Sequence, residues 1–127
     1  MKKIVVAVDG SDAALKGVRM AAEIAKGTGA VLELVHVSSP VLLPPQAYVE
    51  VISKIEAEQS RFAGEVLEQA AKEAKSLGAS CDQVALTGAP AEAIADLAEN
   101  PSVWMVVVGS KGRGAVSRVL LGSVADR

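Results

Sequence analysis

The feature that most constrains this chain is the alternation of short, nearly unbroken aliphatic runs with segments whose apolar residues recur every three or four positions. Ile4 to Val8 and Val103 to Val108 are such runs, Val31 to Val37 alternates in part through Glu33 and His36, Cys81 to Leu86 reads as a further strand, and turn-forming residues such as Asp9-Gly10-Ser11-Asp12 and Ser38-Ser39-Pro40 close them. A run with little polar alternation is what a strand buried on both faces looks like. Between the runs, Leu15, Val18, Ala22 and Ala25 mark one helical face. Ile52, Ile55, Phe62, Val66, Ala70, Ala74 and Leu77 mark a longer one, and Ala91, Ile94 and Ala98 a short one. Strand and helix alternate throughout, which predicts an α/β fold with an open, doubly wound, mostly parallel sheet, right-handed crossovers and helices on both faces.

Composition agrees. Half of the 127 residues are hydrophobic, yet Trp, Tyr and Phe occur once each, so the core must be built from Val, Ile, Leu and Ala. This length suits a single domain over 1–127, and no repeat, low-complexity tract or linker divides it. Thirteen basic against fifteen acidic side chains leave a formal charge of −2. Such a balance gives no general field for nucleic acid or an anionic membrane, so any anion site must be local. No stretch approaches the roughly 18 apolar residues of a membrane-spanning helix. The start Met1-Lys2-Lys3 before Ile4 lacks the cleavage site of a signal peptide, and Cys81 stands alone, without a disulfide partner or a thiolate cluster. A cytoplasmic protein is expected.

The segment most informative about chemistry is Gly109-Ser110-Lys111-Gly112-Arg113-Gly114, after the most apolar run, followed later by Gly122-Ser123-Val124. Ligands of open parallel sheets collect outside the carboxyl ends of the strands. Glycines there let backbone N–H groups approach an anion, and the N-terminus of a following helix adds partial positive charge. Phosphate is the expected anion, with Lys111 and Arg113 as point charges and the Ser123 hydroxyl as a donor or a helix cap. The same glycines also suit plain tight turns.

Asp9 ends the first run beside the expected crossover of the sheet, where a carboxylate can meet a nucleotide or a phosphate-bound metal. Asp9 and Ser11 equally suit capping of the first helix. A P-loop would need Gly-Lys-Ser or Gly-Lys-Thr where the chain has Gly10-Ser11-Asp12, and the dinucleotide fingerprint lacks its third glycine because Ser117 stands there. His36, the one histidine, lies inside a strand and reads as a packing residue. Cys81 lacks a basic neighbour that would activate it, and the glutamates of the long helix read as a solvated face.

These residues resemble the universal stress protein family, whose ATP-binding members carry Gly-x2-Gly-x9-Gly followed by Ser or Thr. Here Gly109 and Gly112 are separated by two residues, nine run from Arg113 to Leu121, and Gly122-Ser123 completes the pattern. The opening Ile4 to Ser11, His36-Val37 and Thr87-Gly88-Ala89-Pro90 are similar to the family as well. The resemblance implies a parallel sheet in the order 3-2-1-4-5 with ATP across the strand ends. It assigns Ala7, Val8 and Asp9 to the adenine and ribose side and Val37 to the base. Val108, Gly109, Lys111, Gly112, Gly122, Ser123 and Val124 fall to ribose and phosphates, with Mg2+ or Mn2+ accompanying them. It further implies a stress-response regulator with weak or absent hydrolysis and a homodimer formed through the last strand. The alternatives are a slow metal-assisted ATPase and a nucleotide-free interaction module. This chain stops at Arg127, before the family's closing helix and strand, so the fifth strand is expected to be missing and the edge of Val103 to Val108 to lie open.

Overall fold

The computed structural model describes residues 2–41, 44, 46, 48–109 and the strand Ser117–Leu121. Its elements are β1 (Lys3–Ala7), α1 (Asp12–Thr28), β2 (Val31–Ser38), α2 (Val49–Ser76), β3 (Cys81–Thr87), α3 (Pro90–Ala98), β4 (Val103–Gly109) and β5 (Ser117–Leu121). They form one sheet in the order β3-β2-β1-β4-β5. The pairs β1–β2, β2–β3 and β1–β4 are parallel. The fifth place, expected to be missing, is taken by β5, which pairs antiparallel with β4 from Met105↔Leu121 to Gly109↔Ser117. The correction has a simple origin: β4 carries a full row of backbone donors and acceptors on its outer edge, and the chain immediately following it can return to satisfy them.

The strand order dictates where the helices go. From β1 to β2 to β3 the chain steps in one direction across the sheet, so right-handed crossovers put α1 and α2 on the same face. The step from β3 back past β1 to β4 reverses direction and puts α3 on the other face. The core divides accordingly. Ile4, Val6, Leu32 and Leu34 pack with Val18, Ala21 and Ala22 of α1 and with Val66, Leu67 and Ala70 of α2. Val5, Val35, Val103 and Val106 form a smaller cluster against Ile94, Leu97 and Ala98 of α3. Successive β1 residues thus serve opposite faces, and Ile4, Val5 and Val6 are all fully buried.

Two helical expectations are modified. Ile55 and Phe62, expected on the buried face of α2, are exposed, and burial in this helix begins only at Ala63. At 28 residues α2 is about 42 Å long, whereas the seven- and eight-residue strands beneath it span about 23–26 Å, so its first half overruns the sheet. In α3, Ile94 and Ala98 face the sheet as expected, but Ala91 is exposed and no residue of this nine-residue helix is fully covered. Among the described residues, no helix is long and apolar enough to cross a membrane.

Candidate functional site

The reversal of direction leaves β1 flanked by strands whose connections depart to opposite faces, and a crevice opens at their carboxyl ends. It has a volume of about 380 Å3. Ala7, Val8 and Asp9 line it from β1 and the turn that follows, Val35, His36 and Val37 from β2, and Val108 and Gly109 from β4. Ala14 of α1 and Pro90 and Ile94 of α3 complete the wall. Six residues nominated from sequence therefore meet around one cavity: Ala7, Val8, Asp9, Val37, Val108 and Gly109. Lys111, Gly112, Gly122, Ser123 and Val124 lie outside the described residues. Val35, His36, Ala14, Pro90 and Ile94 were not nominated. The helical period had marked Ile94 as inward-facing, which was the available signal for it.

The turn from β1 into α1 is built by local hydrogen bonds. The Ser11 N–H donates to Asp9 Oδ1 at 2.9 Å, and the Ala14 N–H donates to Ser11 Oγ at 3.1 Å, so Ser11 is the N-cap of α1. Gly10 between them has φ +88°, in the left-handed region that side chains beyond glycine rarely adopt. The capping role open to Asp9 and Ser11 in the sequence is thus realised. It also orients the crevice, because the positive end of the α1 dipole is brought to the wall that Ala14 forms.

Gly109 has a second reason for being glycine. A Cβ there would lie 2.9 Å from the Ala13 carbonyl carbon and the Ala14 nitrogen, and 3.0 Å from the Ala13 carbonyl oxygen. The end of β4 and the first turn of α1 are in backbone-to-backbone contact, which closes the crevice on that side.

The backbone of β2 supplies polar groups where β1 leaves off. The Val31 N–H donates to the Lys2 carbonyl and the Val35 carbonyl accepts from Val8, so odd-numbered residues of β2 face β1. Leu32 and Ser38 bond across to Ser80 and Gly88, so even-numbered ones face β3. Val37 is the next odd residue, and β1 has ended opposite it. Its N–H and C=O are directed into the crevice mouth, while its side chain packs with the α3-side cluster.

His36 is buried, with Nδ1 2.8 Å from the Val8 carbonyl oxygen and its ring edge-to-face with Phe62 at 5.6 Å and 69°. The packing role read from sequence holds, with a specific hydrogen bond added. On its far side a second recess of about 600 Å3 lies against the first half of α2, lined by Ser38, Ser39, Lys54, Glu58, Gln59 and Phe62 among others. The Arg61 guanidinium, 2.7 Å from Glu58, holds the Glu58 carboxyl below its ordinary pKa. This recess flanks an overrunning helix, whereas the crevice gathers three strand ends and a helix N-terminus, and we take the crevice as the candidate site. Among the described residues, no group of three or more His, Cys, Asp or Glu side chains is arranged to hold a metal ion.

The whole chain, residues 1–127, matches the family model described as the universal stress protein family. A universal stress protein of Methanocaldococcus jannaschii is 36% identical over 129 residues, covering 99% of this chain and 74% of that protein. The universal stress protein from Archaeoglobus fulgidus in complex with dAMP superposes with a TM-score of 0.67 at 28% identity, covering 86% of this chain and 81% of that one. A universal stress protein in complex with cAMP gives 0.69 at 26%, covering 89% and 79%.

Proposed function

The chain belongs to the universal stress protein family, and on that premise we propose that it binds an adenine nucleotide, ATP foremost, in the crevice at the strand ends. The observation that carries this reading is the exposed backbone pair of Val37 beside an apolar slot. Ala7, Val37, Val108 and Ile94 offer the flat, aliphatic walls that a purine ring needs. A neighbouring N–H and C=O complement the adenine edge, where N1 accepts and the exocyclic amine donates. Guanine presents the reverse pattern, an acceptor at O6 and a donor at N1. The related structures bound to dAMP and cAMP support the adenine assignment.

The volume of about 380 Å3 suits base and ribose, with Asp9 near the sugar. The phosphates would then run over Gly109 toward Lys111, Gly112, Gly122, Ser123 and Val124, whose glycine spacing fits a phosphate cradle. A divalent cation, Mg2+ or Mn2+, would be carried by the phosphates, since the described side chains form no ligand cluster of their own; it would neutralise phosphate charge. Occupancy is the regulatory variable: ligand present at 100 times Kd stabilises the folded state by about 2.7 kcal/mol.

Calorimetric titration with AMP, ATP and GTP, with and without Mg2+, tests the reading. Adenine nucleotides are expected to bind and GTP to give no comparable heat. The variant Gly122→Val is expected to weaken ATP more than AMP, since its branched side chain obstructs the phosphates rather than the base. Absence of heat with millimolar ATP and AMP would remove the proposal; equal loss of both ligands in Gly122→Val would remove the phosphate assignment.

A further inference from the structure

The junction where β1 leaves β2 contains a substitution of side chain for backbone. The last rung is the Val8 N–H to the Val35 carbonyl at 2.8 Å. In a continuing parallel ladder the next rung would run from the Val37 N–H to the Val8 carbonyl. Pairing instead ends at Ala7 with Val35, and the Val8 carbonyl is met by His36 Nδ1 at 2.8 Å. A carbonyl oxygen only accepts, so Nδ1 carries the hydrogen and donates it. Packing holds the ring in the orientation this bond requires, since it is 7% exposed and lies edge-to-face on Phe62.

We infer that His36 is a positioning residue for the crevice, holding the Val8 peptide by its carbonyl in an orientation that leaves the Val37 N–H facing a ligand rather than closing one more rung of the sheet. The same bond fixes the peptide that leads into Asp9, whose carboxylate in turn accepts from Ser11. The base-reading edge and the polar end of the crevice are thereby tied to one imidazole, 28 residues along the chain from the carbonyl it holds. Without the Nδ1 donor, a buried carbonyl seeks a partner, and the nearest backbone donor in ladder sequence is that of Val37. The role in binding rests on the nucleotide reading given above; the role in the sheet does not.

The test compares the parent with His36→Phe, which keeps the ring and its contact with Phe62 but has no donor, and with His36→Asn, whose amide nitrogen sits at the Nδ1 position. His36→Phe is expected to lose about tenfold in AMP affinity, equivalent to about 1.4 kcal/mol, and His36→Asn to recover most of it. Hydrogen exchange supplies a readout that needs no ligand: the Val37 amide is expected to be more protected in His36→Phe than in the parent. Parent-like AMP binding in His36→Phe, or equal Val37 protection in the two proteins, would overturn the inference. An Asn variant as weak as Phe would overturn it too, by assigning the effect to the ring. If the parent binds no adenine nucleotide, the functional reading fails while the exchange comparison still decides the role of His36. Should His36→Phe not fold, His36→Gln, whose amide lies one atom farther out, takes its place in both measurements.

Discussion

Replacing Gly109 by alanine tests the closure of the crevice at the contact between β4 and α1. The added methyl carbon would stand 2.9 Å from two backbone atoms of Ala13 and Ala14 and 3.0 Å from a third, where favourable contacts between carbon atoms lie at about 3.5–4.0 Å. Backbone cannot swing aside as a side-chain tip can, so the end of β4 and the N-terminus of α1 must separate by about half an ångström or more. Overpacking of this kind costs about 1–3 kcal/mol. The matched control is Gly64→Ala, on the exposed side of α2 with nothing within 4 Å of its new Cβ, which should gain about 0.5–1 kcal/mol from helix propensity. The two alanine variants should therefore differ by about 1.5–4 kcal/mol. In urea denaturation, with a slope of about 2 kcal/mol per molar, that separates their midpoints by about 0.8–2 M. A Gly109→Ala variant as stable as the parent would refute the close approach, and with it the argument that this glycine is required by packing as well as by any ligand.

Two further outcomes follow from the local chemistry. Ser11→Ala removes the acceptor of the Ala14 N–H and should cost about 1 kcal/mol in the same urea assay, whereas Ser11→Asp should retain most of the stability. Burial pushes the Cys81 thiol above its ordinary pKa. A raised folded value means that this contribution to stability is complete below the ordinary thiol pKa and is lost as pH rises through the raised one. Denaturation midpoints measured between about pH 8 and pH 10 should therefore fall for the parent, with that component missing in Cys81→Ala.

Much of the fold was legible because its causes are local. The unbroken Ile4-Val5-Val6 and the apolar Val103 to Val108 require cover on both faces, and the helical spacing of Val18, Ala22 and Ala25 supplies it on one face and that of Ile94 and Ala98 on the other. The parallel direction of β1 to β4 and the handedness of their crossovers follow from alternation, whereas the strand order came from the family resemblance. Within the candidate site, Asp9 and Gly109 were legible as residues ending runs at the side of the sheet where ligands collect. Which half of α2 is buried was not legible, since Ile55 and Phe62 keep the period of Val66 and Ala70 but stand in the half of the helix left exposed. The return of Ser117–Leu121 along β4 was missed for a similar reason: the pairing depends on an edge made available by the folded sheet.

The sequence by itself determined the layers and the parallel direction of β1 to β4, because periodicity, turn chemistry and chirality act within a few residues or through topology. Only the tertiary structure decided that the pairing of β1 with β2 ends at Ala7 and Val35 and that His36 Nδ1 meets the Val8 carbonyl. It also decided that Gly109 must clear the first turn of α1. These facts depend on groups far apart in the chain meeting within hydrogen-bonding or van der Waals distance, and no local pattern encodes which of them will.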